Sequence, residues 1–175
     1  GCGAGKSTFS VHIAATIAAN TNENQRILYY STEDDTDAIR ERLVSNARSP
    51  EDAMIILQRV LIVDCLDPDT SGEFNRERIE SQVHQVEREE GCRVCLVILD
   101  PLLSFLDIKP GAYSACRQEI QRIRSWCKNF NITVIGIIHA TKDGSKIRGS
   151  GAWEEVTRNI LIIKYSSDTG SRYLT

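Results

Sequence analysis

The residues with the most specific chemistry stand at the front of the chain, in GCGAGKST. Gly5, Lys6 and Ser7 fill the last three positions of G-x-x-x-x-G-K-[ST], the spacing of a loop that wraps a polyphosphate, with Gly3 and Ala4 ahead of them. Glycines let the backbone curl so that successive N–H groups point at phosphate oxygens, and a helix that starts there adds partial positive charge. Lys6 would reach the β- and γ-phosphates, the Ser7 hydroxyl would coordinate Mg²⁺, and Thr8 would line the loop beyond. A bare G-x-G-K-[ST] also arises by chance, but here a good helix former follows at once. The loop's first glycine would precede Gly1, so the motif reads as a phosphate loop cut at its front edge.

Four further positions fit the same chemistry. Asp100 closes the apolar run VILD, and an acid at the C-terminal tip of a buried strand sits where open α/β sheets bind ligands. It would hold Mg²⁺ directly or through water, or else cap the turn before Pro101. In STEDD, residues 31–35, Glu33 would polarise the water that attacks the γ-phosphate. Thr32, Asp34 or Asp35 would serve locally as a helix N-cap, with acids favoured in the first turn. His139 ends IGIIH, three residues before Lys142, where a polar group senses the γ-phosphate; an ordinary turn histidine is the alternative. Arg148, in KIRGSGAW, has the long guanidinium needed to reach a neighbouring subunit's γ-phosphate. A solvated basic loop, or one touching DNA phosphate, is the other reading of that segment.

Strands and helices must alternate to bring these groups together. Helices are expected over KSTFSVHIAATIAAN, DDTDAIRERLVSNA (34–47), SPEDAMIILQ (49–58), RERIESQVHQVEREE (76–90) and CRQEIQRIRSWCKNF (116–130). Strands are expected at 26–31, 59–65, 94–100 and 132–140, with 159–165 and 171–175 as a hairpin. The apolar runs are continuous rather than alternating, which means a parallel sheet covered on both faces.

The 175 residues suit one domain, 41% hydrophobic and 26% charged, as in a soluble globular protein. No run of about 18 apolar residues would span a membrane, and no secretory leader is apparent, so the expected compartment is cytoplasmic. A net charge of −3 gives no global case for nucleic acid, so any DNA contact must come from a local patch. Cys92 and Cys95 form a C-x-x-C, but no second Cys or His pair follows at zinc spacing. With Cys2, Cys65, Cys116 and Cys127 they read as reduced structural thiols.

Taken in order, GAGKST, YYSTEDD, LVILDPLLSFL, VIGIIHATK and IRGSGAWEEVTRNILIIK resemble the RecA-like P-loop ATPases of the AAA_25, or RepA hexameric helicase, type. The resemblance covers nearly the whole chain. It implies an α/β RecA-like P-loop NTPase core: a mostly parallel sheet with helices on both faces and a C-terminal antiparallel edge hairpin. Residues 1–175 would be one such ATPase domain, truncated at both ends, with the strand that precedes the phosphate loop missing. It further implies ATP hydrolysis with Mg²⁺, a hexameric homo-oligomeric ring with sites between subunits, and action on single-stranded DNA in replication. By the same likeness Lys6 is the phosphate-loop lysine, Ser7 and Asp100 hold the metal, and Glu33 activates water. His139 is the γ-phosphate sensor and Arg148 the arginine finger; the DNA loops fall within 101–115 and 143–151. A RadA-like or KaiC-like ATPase of recombination, repair or protein remodelling is the alternative, and a non-catalytic nucleotide-binding module a third.

Overall fold

Gly5 starts the first helix in a left-handed conformation, φ 85°, that an L side chain rarely adopts, and its carbonyl accepts from Phe9 N at 2.9 Å. The computed structural model describes residues 5–65, 75–106, 113–139, 153, 155, 157, 159–165 and 172–174. Helix α1 (Lys6–Asn20) buries Val11, Ala14, Ala15 and Ala18, small residues that let it lie close to the sheet. Its far end is held by Arg59, which donates to the carbonyls of Ala18 at 2.9 Å and Thr21 at 2.6 Å. A cation there also suits the negative end of the helix dipole.

Strand β1 (Gln25–Ser31) follows, then α2 (Thr36–Ser45), capped by the Asp35 carboxylate, which accepts from Ala38 N at 2.7 Å. Helix α3 (Pro50–Arg59) has Ser49 as its cap and proline at its first position, and runs directly into β2 (Val60–Asp64). Helix α4 (Arg76–Glu90) is capped by Asn75. Strand β3 (Arg93–Asp100) leads through a cis Asp100–Pro101 bond into a 3₁₀ turn, Leu102–Phe105. Helix α5 (Tyr113–Phe130) and β4 (Thr133–Gly136) complete the layered part.

The four strands form an all-parallel sheet in the order β2-β1-β3-β4. β1 and β3 lie in the middle and are buried over most of their length, as their continuous apolar runs require. Side chains alternate between faces. Ile27 and Tyr29 of β1, with Leu96 and Ile98 of β3, meet the layer of α1, α2 and α3. Leu28 and Tyr30, with Val97 and Leu99, meet the layer of α4, α5 and the 3₁₀ turn. The β1–β3 ladder contains one bulge: Arg26 pairs with Val94, but Ile27 pairs with Leu96.

Two expectations need adjustment. The strand expected over 132–140 ends at Gly136, because the Ile137 carbonyl is taken by Leu102 N of the 3₁₀ turn at 2.8 Å. The final hairpin is antiparallel as expected, but its strands β5 (Ile163–Tyr165) and β6 (Arg172–Leu174) are three residues each. They form a two-stranded sheet of their own among the described residues, rather than an edge of the larger one.

Candidate active site at the strand tips

Parallel pairing sets Ser31, the last residue of β1, opposite Asp100, the last of β3. Thr32 N then donates to the Asp100 carbonyl at 3.1 Å, so the acidic segment and Asp100 share one edge of the sheet. The turn after β1 is shaped by the buried Ser31, whose hydroxyl accepts from Glu33 N at 3.2 Å and Asp34 N at 3.0 Å. That turn gives three neighbouring acids different partners. Asp35 caps α2, and Asp34 makes a two-pronged ion pair with Arg42. Glu33 instead turns to the site, where its Oε1 lies 2.9 Å from His139 Nε2.

His139 arrives there through the segment after β4. Ile137 N donates to the Leu99 carbonyl at 2.9 Å, continuing toward the tip of β3. Gly136 permits this path, since a Cβ there would stand 2.6 Å from Leu102 Cδ2 and 3.0 Å from Leu102 Cβ. Thr32 adds a hydrogen bond from its hydroxyl to Ser104 of the 3₁₀ turn, 3.0 Å.

Asp100 is almost fully buried, 1% exposed. Its Oδ2 accepts from the Tyr29 hydroxyl at 3.1 Å, and that hydroxyl lies 2.7 Å from Ser10 Oγ on α1. Ser10 Oγ is also 2.9 Å from the Ser7 carbonyl, one turn back. Oδ1 of Asp100 has no hydrogen-bond partner among the described residues. Burial raises the carboxyl pKa above the usual range; the Ser7 and Tyr29 hydroxyls pull it back, while Glu33 and Asp34 push it up. Burial, then the neighbouring Asp100, likewise keeps the Tyr29 phenol protonated.

The predicted loop residues divide as follows. Gly5, Lys6 and Ser7 are half-buried at the start of α1, and Thr8 is exposed. Gly3, Ala4, Lys142 and Arg148 lie outside the described residues, as do 107–112 and 143–151 of the segments assigned to DNA. Among the described residues no group of three or more His, Cys, Asp or Glu could hold a metal alone. The donors present are the unpartnered Asp100 Oδ1 and the Ser7 hydroxyl, hard oxygens that suit Mg²⁺ shared with phosphate and water. An orphaned buried carboxylate oxygen is what such a cation would satisfy.

The sequence reading passes over Ser10 and Tyr29. Their signal is a period-two one: a hydroxyl-bearing aromatic in RILYYS, two residues before Ser31 and on its face. The cysteines stand apart from this chemistry. The five described are free, and burial pushes their thiols up, Cys65 to about 11. No helix among the described residues is long and apolar enough to cross a membrane.

No curated protein matches the chain. The AAA_25 family, described as an AAA domain, matches residues 2–145. The match spans most of the chain, which therefore belongs to this family of RecA-like P-loop ATPases, and the all-parallel sheet flanked by helices agrees with such a core.

Proposed function

We propose that the chain hydrolyses ATP at the tips of β1 and β3 and serves as one subunit of a ring-forming motor on single-stranded DNA in replication, in the manner of a RepA-like helicase. In this reading Gly3, Ala4, Gly5, Lys6 and Thr8 cradle the phosphates, while Ser7 and Asp100 hold Mg²⁺. The cation, when bound, supplies charge neutralisation on the phosphate oxygens. Glu33 takes the proton of the attacking water as the new P–O bond forms and the bond to ADP breaks. His139 contacts the γ-phosphate, and Arg148 reaches into the site of the adjacent subunit.

The observation that supports the reading best is the Glu33–His139 contact of 2.9 Å, made across 106 positions of sequence beside Asp100. A base and a phosphate-contacting group must converge on one point in space, and these two do. Its test is ATP turnover by the full chain. Glu33→Gln should lower kcat by about 100-fold or more, within the range for a removed general base. Unchanged turnover removes Glu33 from the mechanism. Stimulation by single-stranded DNA is the expected mark of the motor; turnover indifferent to DNA favours the recombination or remodelling reading.

A further inference from the structure

We infer that Tyr29 is a positioning residue for the metal-holding carboxylate: its hydroxyl occupies Oδ2 of Asp100 and so reserves Oδ1 for the cation. The inference rests on the ATPase reading above and adds a residue to it.

The geometry follows from the sheet. Tyr29 pairs with Ile98, so Asp100 stands two residues further along the neighbouring strand, on the same face. Such diagonal neighbours have Cβ atoms roughly 7 Å apart, within reach of an aromatic side chain. A phenol spans that gap where a shorter hydroxyl would not. The third member, Ser10, lies three residues after Ser7 on α1, hence on the same side of the helix.

A proton count fixes the direction of the bonds. The contacts are Ser10–Ser7 carbonyl, Ser10–Tyr29 and Tyr29–Asp100, yet the two hydroxyls carry one proton each. An ionised carboxylate only accepts, so the Tyr29 proton goes to Asp100. Ser10 then divides its own proton between the Tyr29 oxygen and the Ser7 carbonyl. The chain therefore runs from the first turn of the phosphate helix to the carboxylate, and one carboxylate oxygen is committed before any ligand arrives. The other, Oδ1, stays buried and unpartnered. Without Tyr29 the carboxyl group keeps only the Ser7 hydroxyl among these side-chain bonds, and Oδ1 is less firmly held toward the site.

The test compares the wild-type full chain with Tyr29→Phe, which keeps the ring and removes the hydroxyl, and with Ser10→Ala. Binding of a fluorescent ATP analogue is titrated in EDTA and then against Mg²⁺, and Mn²⁺ binding to the nucleotide-loaded chain is followed by electron paramagnetic resonance. Tyr29→Phe should bind the metal-free analogue as the wild type does, yet need about tenfold more Mg²⁺ for the same tightening, and bind Mn²⁺ about tenfold more weakly. That is the size expected for losing one hydrogen bond to a charged group. Ser10→Ala should shift both midpoints about threefold in the same direction, through the shared network. A wild-type metal midpoint in either folded variant overturns the inference. If the wild type itself binds no nucleotide, or binds it equally with and without the cation, the ATPase reading fails first and takes this inference with it.

Discussion

On one side of the sheet α1 presents Val11, Ala14, Ala15 and Ala18; on the other, α4 and α5 press Ile79, Val83, Cys116, Ile120 and Trp126 against the same strands. The buried polar residues Ser10 and Asp100 belong to the first side, and strand alternation puts Ser31 there too. On the second side the buried indole nitrogens of Trp126 and Trp153 have no partner among the described residues. That side also holds a cleft of about 440 Å³ between α4 and α5, lined by Arg76, Glu80, Gln121, Trp126 and Phe130. Small residues bring a helix backbone close enough for its first-turn hydroxyls to reach a strand carboxylate. Large ones fill the opposite layer and supply stability without chemistry.

This division predicts that damage to the two layers should separate stability from turnover. The largest effect should come from Phe105→Ala, which empties a fully buried position beside Tyr30, whose ring lies edge-on at 5.9 Å. A loss of about 3–5 kcal/mol is expected in chemical denaturation. In the fraction that stays folded, the nucleotide affinity should be unchanged; a large fall in affinity would dissolve the distinction between layers.

Asp100→Asn should do the reverse, cutting metal-dependent turnover by about 100-fold while stabilising the fold. The sign follows from burial, which raises the Asp100 pKa in the folded chain. The folded chain keeps this proton to higher pH than the unfolded one, so ionisation costs folded-state stability. The cost is absent below the unfolded pKa of about 3.9, grows as pH rises through the folded value, and is fully present above it. Melting curves of wild type and variant should therefore coincide in acid and diverge toward neutrality, by about 2–4 °C for each kcal/mol relieved. A variant less stable than wild type at neutral pH would show that the carboxylate holds its layer together.

The smallest effect should come where the layers meet. Gly136→Ala pushes a Cβ into the largely buried Leu102, at a cost of about 1–3 kcal/mol, and displaces the segment that carries His139. Thermal unfolding and nucleotide affinity should both shift, since this position serves both sides.

Much of this was legible in the sequence, for physical reasons. The apolar runs of β1 and β3 announce strands buried on both faces, and the start of α1 and both ends of α4 fall where the helix signals put them. The convergence of Glu33, Asp100 and His139 was legible because parallel strands bring their C-terminal ends to one edge. The division of labour among Glu33, Asp34 and Asp35 was not, because it depends on Ser31 folding the turn and on Arg42 two helix turns beyond the cap. The early end of β4 was equally hidden, since the competing donor, Leu102 N, lies 35 positions upstream.

The bulge in β3 has a consequence for where the chemistry is housed. Cys95 is the residue without a partner in the register, and both it and Leu96 lean toward α1. It acts like an inserted beat that changes the phase of everything after it. Val94, the first buried residue of the strand, faces α4, and strict alternation from there would deliver residue 100 to that same layer. One extra residue shifts the count, and Asp100 emerges on the side of α1. The C-x-x-C pair thus includes the residue that decides which half of the molecule owns the carboxylate.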